Sequence, residues 1–433
     1  MKLNYKRTFF VGLAFLSICA FWQMYDNIIP LMLSQTFHLN ETLTGVIMAM
    51  DNVLAVFLLP ILGTISDKVD TPLGKRTPFI IVGTVLSVIL LVGVGIANRK
   101  ASLVMFIVML FLLLIAMGLY RSPAVALMPD LTPKPLRSQA NAVINLMGAL
   151  GGVYALVLIS LLTVEGSNDY MPILIGIVII MIVAVVLLVI TIREKKLTVQ
   201  IEEENKEWES TQPESEAVVE ELEIESSEKL PPAVKKSLIF ILMSIALWYI
   251  SYNAVTTAWS RYAINVWKMT GGGYANCLMV GTVAACISYI PIGLLASKIG
   301  RKKTILMGVA LLFVSFGIVG FYPEFNASIN VLFMLVGIGW AAINVNSLPM
   351  VVEMCKAADV GKYTGLYYTF SMSAQIITPI LSGALLQYVS YRTLFPYACF
   401  FMALAFITMM MVKHGDNRPE VKKNKLEYMD VED

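Results

Sequence analysis

Long apolar runs separated by short polar segments make up most of the chain. In a helix, roughly 20 consecutive apolar residues span the ~30 Å hydrocarbon core of a bilayer. A search for apolar runs of about 18 residues or more predicts an all-α polytopic membrane protein with twelve membrane-crossing helices. The predicted helices lie near residues 9–34, 43–66, 78–97, 102–127, 138–163, 171–192, 237–262, 274–297, 304–322, 328–352, 363–388 and 392–412.

Residues 201–228 interrupt this pattern near the middle of the chain, with twelve glutamates and no glycine. A segment of this composition cannot bury enough apolar surface to fold by itself. We interpret it as a solvated spacer between two halves, and a docking or regulatory role fits the same composition. The predicted organisation is an N-terminal six-helix bundle at 1–192, a cytoplasmic acidic linker at 193–236, a C-terminal six-helix bundle at 237–412 and a cytoplasmic tail at 413–433.

Basic residues are sorted by side of the membrane. If the N-terminus is cytoplasmic, the cytoplasmic segments hold 26 of the 32 Lys and Arg residues and the outer segments hold five, while Arg121 lies inside a helix. Because basic residues concentrate on the cytoplasmic side of membrane proteins, we expect both termini in the cytoplasm. The expected location is the plasma membrane.

The amino-acid composition excludes several classes of function. Hydrophobic residues make up 58% of the chain and charged residues 14%, with a mean hydropathy of +0.74. The net charge of +2 provides no basic surplus for nucleic acid. The five cysteines form no CxxC pair, so no metal or cofactor is expected. No catalytic constellation or phosphate-binding Gly-Lys-Ser loop is present, which disfavours an enzyme and indicates a process driven by an ion gradient.

The two halves of the chain resemble each other in sequence. The segment 60–66 is echoed by 291–297, and each is followed by a basic turn. Two such halves in the same orientation are typical of parallel repeats, whose interface holds the substrate site of a transporter. The pattern therefore predicts two pseudo-symmetric six-helix bundles. Matching positions are Trp22 with Trp248 and Asn27 with Asn253, each 226 residues apart, and Pro60 with Pro291.

The turn between the second and third helices carries a family resemblance. Residues 66–68 read Ser-Asp-Lys, and after a short spacer residues 74–79 read Gly-Lys-Arg-Thr-Pro-Phe. With the twelve helices and the central linker, this turn resembles the major facilitator superfamily. Within it, the turn is similar to that of sugar-cation symporters, which include plant sucrose transporters and related animal proton-sugar carriers. Pro72, Leu73 and Thr77 depart from the pattern of that group.

A second stretch, 120–130, resembles the fourth helix of the same group, with its buried arginine at Arg121. Plant relatives also carry an aspartate about three turns before this arginine. Residues 109–112 are Met-Leu-Phe-Leu and supply none. The resemblance therefore implies that proton coupling in this chain needs another carboxylate.

Three ionisable residues lie within predicted membrane helices: Asp26, Asp51 and Arg121. Such residues are costly in a bilayer, so each needs a partner, a hydrated cavity or a function. The superfamily fold implies that Asp26 and Arg121 lie on opposing walls of a central cavity. We expect Asp26 to carry the coupled proton. Inward opening would let the charge of Arg121 favour the ionised form of Asp26, so that the proton is released. A buried polar cluster that only fixes helix packing is the alternative.

Polar and aromatic side chains at i, i+4 spacing are the candidate substrate contacts, because sugars offer hydroxyls to hydrogen-bond and apolar faces to stack. The alternative for each aromatic residue is packing or anchoring at the membrane interface. The candidates are Trp22, Gln23, Asn27, Tyr120, Asn141, Asn145, Trp248, Tyr252, Asn253, Trp340, Asn344, Tyr367 and Gln375.

Asp67, Lys75, Arg76 and Asp130 are the candidates for a cytoplasmic gate. Salt bridges among them would hold neighbouring helix ends together and close the inner mouth in the outward-open state.

The leading functional prediction is uptake of a sugar or glycoside coupled to a proton or sodium ion, by alternating access of the two halves. Proton-antiport export of drugs or metabolites is the alternative, and the polar candidate residues disfavour it. The expected partners are the bilayer, a small-molecule substrate and the coupling cation, and a monomer is taken as the transporting unit.

Overall fold

The fold is known from a computed structural model that describes residues 2–210, 231–354, 360–416 and Met429. Twelve of the described helices are long and apolar enough to cross a bilayer, which confirms the predicted fold class. The helices are α1 (Tyr5–Leu31), α2 (Glu41–Lys68), α3 (Thr77–Arg99), α4 (Leu103–Asp130), α5 (Arg137–Leu162), α6 (Met171–Thr191), α7 (Glu194–Ser210), α8 (Pro232–Trp267), α9 (Gly273–Ile299), α10 (Arg301–Gly320), α11 (Ile329–Val352), α12 (Val360–Tyr388) and α13 (Leu394–Met410).

The helices form two bundles, α1–α6 and α8–α13, with the same internal pairings. In the first bundle α1 packs on α5 and α6, and α3 on α4 and α6. In the second, α8 packs on α12 and α13, and α10 on α11 and α13. The main contacts between the bundles are α2 with α12 and α5 with α9, which the repeat relates to each other, and α1 also touches α8. We call the membrane face where α1 begins the terminal face and the opposite one the distal face.

Local sequence explains how α2 and α3 begin. Asn40 precedes α2 and its Oδ1 accepts a 2.8 Å hydrogen bond from the backbone N–H of Leu43, a typical N-cap. Pro78 lies in the first turn of α3, where its missing N–H costs nothing. The turn between these helices lies at the terminal face, because α2 runs back to the face where α1 begins.

The first part of the acidic segment is helical. Helix α7 covers Glu194–Ser210 and packs on the first bundle at the terminal face, with Ile201 only 1% exposed. Its N-terminal half is tied to the bundle through Lys195, whose Nζ lies 3.0 Å from Asp70 Oδ1. The bundle surface supplies the apolar contact that this segment lacks by itself. Residues 211–230 of the predicted linker lie outside the described residues.

Candidate functional site

A cavity of about 340 Å³ lies between the two bundles and is lined by α1, α5, α8, α9 and α11, with Phe316 contributed by α10. Its volume is within the range of small-molecule sites. Six of the thirteen candidate substrate contacts and the candidate proton carrier Asp26 meet there, although they come from four separate helices. These residues are Gln23, Asp26, Asn27, Asn145, Tyr252, Asn253 and Trp340.

Two asparagines related by the repeat present unpaired polar atoms to this cavity. Asn27 Nδ2 donates a 2.9 Å hydrogen bond to the backbone carbonyl of Gln23, and its Oδ1 is buried without a partner. Asn253 Nδ2 is likewise buried without a partner. A buried polar atom without a hydrogen bond costs free energy. One acceptor and one donor are therefore available for a ligand or for water.

A rigid aromatic surface forms the side of the cavity contributed by α8 and α11. The rings of Tyr252 and Trp340 are stacked with centroids 3.7 Å apart and planes within 5°. Tyr249 meets Trp340 edge-on, with centroids 5.4 Å apart. Aromatic pairs in these geometries hold each other in place, so the Trp340 ring has a fixed orientation toward the cavity.

The charged residues within the membrane helices do not have the expected arrangement, in which Asp26 and Arg121 lie on opposing walls of the cavity. Asp26 lines the cavity, and Asp51 interacts with it electrostatically from α2. The guanidinium of Arg121 lies 5.7 Å from the centre of the Trp22 ring, and its charge acts on Asp51. Asp51 also accepts a 2.8 Å hydrogen bond from Asn52 Nδ2. The three charges form one cluster on the first bundle, and Arg121 is associated with Asp51 instead of facing Asp26 across the cavity.

Several candidate contacts do not reach the cavity. The Tyr120 hydroxyl bonds Ser17 Oγ and the backbone carbonyl of Ala14, so it holds α4 against α1. The Tyr367 hydroxyl lies 3.1 Å from Ser347 Oγ. Helical spacing identifies residues on one face, but it does not say which face meets the cavity and which meets another helix. The candidates away from the cavity lining are Trp22, Tyr120, Asn141, Trp248, Asn344, Tyr367 and Gln375.

Helix α9 contributes lining residues that the sequence analysis missed. Thr282, Cys286 and Tyr289 follow one another at spacings of four and three residues and all line the cavity. This spacing was the available signal, since it places the three side chains on one helix face. Cys19 on α1 and Thr256 on α8 complete the polar and thiol-bearing part of the lining.

One residue of the C-terminal tail reaches the cavity lining. Asn145 Nδ2 donates a 3.1 Å hydrogen bond to the backbone carbonyl of Met429, and Met429 is only 6% exposed. Asn145 lies about 12 Å along α5 from its start at the terminal face, at 1.5 Å per residue. Met429 thus contacts the cavity lining on the side nearer the terminal face.

Three of the four candidate gate residues meet at the terminal face. The Arg76 guanidinium pairs with Asp67 and Ser66, and its Nε donates a 2.8 Å hydrogen bond to Asp130. Burial lowers the pKa of Arg76, but hydrogen bonds and charges from Asp130 and Asp67 outweigh it and raise the pKa above its usual value. All these residues belong to the first bundle, so in this conformation the cluster joins α2, α3 and α4 and does not bridge the bundles.

The fourth gate candidate, Lys75, takes part through its backbone. Its N–H donates a 2.7 Å hydrogen bond to Glu194 Oε1, and the N–H groups of Arg76 and Thr77 also donate to this carboxylate, at 2.8 and 2.7 Å. Gly74, at φ 116°, leaves the space for the approach, because a Cβ there would lie 2.3 Å from the Glu194 carboxyl carbon. Glu194 therefore caps the N-terminus of α3.

The second bundle repeats this arrangement. Arg301 at the start of α10 pairs with Glu353 after α11, at 2.7 Å. Asp416, after the last helix, accepts a 2.8 Å hydrogen bond from the backbone N–H of Lys302. Each bundle thus uses an arginine at the start of its third helix and an acidic residue just after its sixth. The basic turn that follows 291–297 therefore makes the same kinds of contact as the turn at 60–79.

Two repeated six-helix bundles around a central cavity define the class of secondary transporters. The particular family follows from comparison with known proteins. The model of the Major Facilitator Superfamily matches residues 11–287 and 241–428, and the chain belongs to that family. It is therefore a multi-pass membrane protein of the Major Facilitator Superfamily.

The chain is also similar to individual transport proteins in sequence or in fold. The sucrose transport protein SUC3 of Arabidopsis thaliana is 28% identical over 138 residues, which are 28% of this chain and 23% of that protein. The chain thus matches less than a quarter of the length of this curated relative. A mutant of the nucleoside transporter NupG superposes over 95% of this chain and 100% of its own, with a TM-score of 0.70 and 15% identity. A POT family transporter in complex with 5-aminolevulinic acid covers 94% of this chain and 95% of its own, with a TM-score of 0.68 and 13% identity. These two structures share the fold.

Proposed function

We propose that this protein takes up a sugar or glycoside across the plasma membrane, coupled to a proton. A sodium ion is the other candidate cation. The observation that carries the proposal is the cavity lining, which combines amides, a stacked aromatic pair and one carboxylate. The match to a sucrose transport protein, although short, supports the same substrate class.

The lining fits a polyhydroxylated ligand. A sugar hydroxyl can donate to Asn27 Oδ1 and accept from Asn253 Nδ2, the two atoms that are buried without partners. The apolar C–H face of a pyranose ring stacks on a flat aromatic surface, and the Trp340 ring offers one. A drug exporter with an apolar cavity would not need this set of amides.

The charge cluster fits proton coupling. Asp26 and Asp51 interact in a region shielded from water, where two like charges disfavour each other. Arg121 offsets the charge of Asp51, which leaves Asp26 as the carboxyl that binds and releases a proton at the cavity. Arg121 thus acts on Asp26 through Asp51 in this proposal.

The proposed orientation in the membrane follows from the distribution of Lys and Arg residues. Most Lys and Arg residues lie at the terminal face, which we assign to the cytoplasm. The bundles at 1–192 and 237–412 move relative to each other about the cavity, and the linker at 193–236 and the tail at 413–433 lie in the cytoplasm.

Uptake by purified protein in proteoliposomes tests the proposal with radiolabelled sucrose, maltose, glucose and a phenolic glucoside under an imposed pH or sodium gradient. We expect accumulation of at least one sugar under the pH gradient. Asp26→Asn should lose at least tenfold of this accumulation and retain counterflow exchange, because the neutral amide cannot release a proton. Asp70→Asn, which changes an exposed carboxylate at the terminal face, is the matched control. The sugar proposal fails if none of these sugars accumulates under either gradient, and the assignment of Asp26 fails if Asp26→Asn accumulates sugar normally.

A further inference from the structure

A buried ion pair joins the two bundles at the distal face. Glu41 is the first residue of α2, and its two carboxylate oxygens accept hydrogen bonds from Arg261 Nη1 of α8 and from the hydroxyl of Tyr391, just before α13. The side chains of Arg261 and Glu41 are 4% and 9% exposed. Glu41 belongs to the first bundle and its two partners to the second, so this contact cannot persist when the bundles separate there.

Further contacts continue this closure on both sides of the bundle interface. The backbone N–H of Thr42 donates a 3.1 Å hydrogen bond to Gln387 Oε1, which ties α2 to α12. On the other side, Ser160 Oγ of α5 donates a 2.9 Å hydrogen bond to Asn276 Oδ1 of α9. Polar contacts thus join α2 to α12 and α5 to α9 at their distal ends.

The ion pair lies between the cavity and the distal face. Thr256 on α8 lines the cavity, and Arg261 follows five residues later, about 7.5 Å closer to the distal end of the helix. Met429 contacts Asn145 on the other side of the cavity, nearer the terminal face. The conformation is therefore closed at the distal face.

We infer that Glu41, Arg261 and Tyr391 form the distal gate of the transporter, holding the bundles together there. Removing one partner of a buried ion pair leaves an uncompensated charge, which favours the state in which that charge reaches water. For these residues the hydrated state is the one opened to the distal face. Loss of the pair should therefore shift the population toward distal opening without changing the cavity itself. The inference needs only two moving bundles and depends neither on the sugar nor on the proton.

Native cysteines provide the measurement. Cys19 and Cys286 line the cavity, so replacing Cys277, Cys355 and Cys399 with Ala leaves thiols that report access to it. A membrane-impermeant maleimide is applied separately to each face of oriented vesicles, with the terminal face identified by protease cleavage of a C-terminal tag. In this background, labelling from the distal face should be slow.

Glu41→Gln should raise the labelling rate from the distal face at least threefold. Tyr391→Phe keeps the ring and removes one hydrogen bond, so it should give a smaller rise, and it provides a second test if Glu41→Gln does not yield folded protein. Arg99→Gln is the matched control, because it breaks an ion pair with Asp169 at the same face but within the first bundle. Its rate should equal that of the background.

An unchanged distal rate in folded Glu41→Gln and Tyr391→Phe would overturn the assignment. So would an equal rise in Arg99→Gln, since the effect would then be general to distal ion pairs. Labelling requires no substrate, so this outcome is independent of the uptake measurements. A labelling result against the gate leaves the sugar proposal standing, and failure of sugar uptake leaves the gate standing.

Discussion

At the scale of single residues, Glu194 shows how much one carboxylate can organise. The Glu194 carboxylate accepts hydrogen bonds from three backbone N–H groups at the start of α3. Its Oε2 also accepts a 2.6 Å hydrogen bond from the Thr77 hydroxyl. A carboxylate at a helix N-terminus also interacts favourably with the helix dipole. Glu194 is 3% exposed, so water cannot replace these contacts. It links the end of the first bundle to the turn at 60–79.

We predict that Glu194→Gln lowers the thermal stability of the protein. The amide keeps one acceptor oxygen but points an NH₂ group at backbone donors, and each hydrogen bond to a charged group contributes about 1.5–3 kcal/mol. The melting temperature of the purified protein in detergent measures the loss. Glu203→Gln, an exposed change on the same helix, should melt like the parent. Equal melting temperatures for the two variants would contradict the role of Glu194 as a cap.

At the scale of elements, α7 owes its helical conformation to the surface beneath it. Its sequence is rich in glutamate, and the buried side chain of Ile201 provides its apolar contact with the first bundle. Asn205 Oδ1 adds a 2.9 Å hydrogen bond from the backbone N–H of Lys134. Most of the stability of a helix in a protein comes from packing of this kind. The element therefore depends on the bundle more than on its own composition.

Ile201→Ala should detach α7 from the bundle. Removing a buried Ile side chain costs about 2–5 kcal/mol, which is large against the few contacts that hold this helix. Limited proteolysis should then cleave the segment 194–210 several times faster than in the parent. Val199→Ala, at an exposed position two residues away, is the control. If both variants are cleaved at the parental rate, packing of Ile201 does not hold the helix.

At the scale of the whole molecule, the approach of α2 to α12 sets how tightly the distal face closes. A Cβ added at Gly45 of α2 would lie 2.1 Å from the backbone oxygen of Pro379 in α12. Real Cβ atoms do not approach backbone oxygens this closely, so a larger residue forces the helices apart. The interface at this point is therefore specific to glycine.

Gly45→Ala should open the distal face and raise maleimide labelling of Cys19 and Cys286 from that side severalfold. Gly365→Ala in α12 is the control, because a Cβ there meets no atom within 4 Å. Distal labelling of Gly45→Ala at the rate of the control would show that α2 and α12 are not a closing surface.

The contact of Met429 with Asn145 leads to a prediction for the opposite face. A chain that ends at Asp416 lacks this contact and keeps the hydrogen bond from Asp416 to α10. Labelling of the cavity cysteines from the terminal face should then be faster, and labelling from the distal face should be unchanged. Unaltered terminal labelling would mean that Met429 does not limit access to the cavity.

Part of the site could be predicted from local sequence. Asp26, Asn27 and Asn253 were identifiable because polar residues are rare in apolar runs and because the repeat relates two of them. Glu41 was not, because it lies at the start of a helix where an acidic residue is ordinary. Its partners are 220 and 350 positions away in the chain. No periodicity connects residues at such distances.

The sequence by itself determined the twelve membrane helices, the repeat and the family, because span length, hydropathy and a turn motif are local properties. The tertiary structure alone decided which polar faces meet in the cavity, that Arg121 acts on Asp51, and that the turn at 60–79 joins helices within one bundle. It also decided that the interbundle ion pair lies at the distal face. These features depend on how helices rotate and pack against each other, and each helix offers several faces with similar polarity.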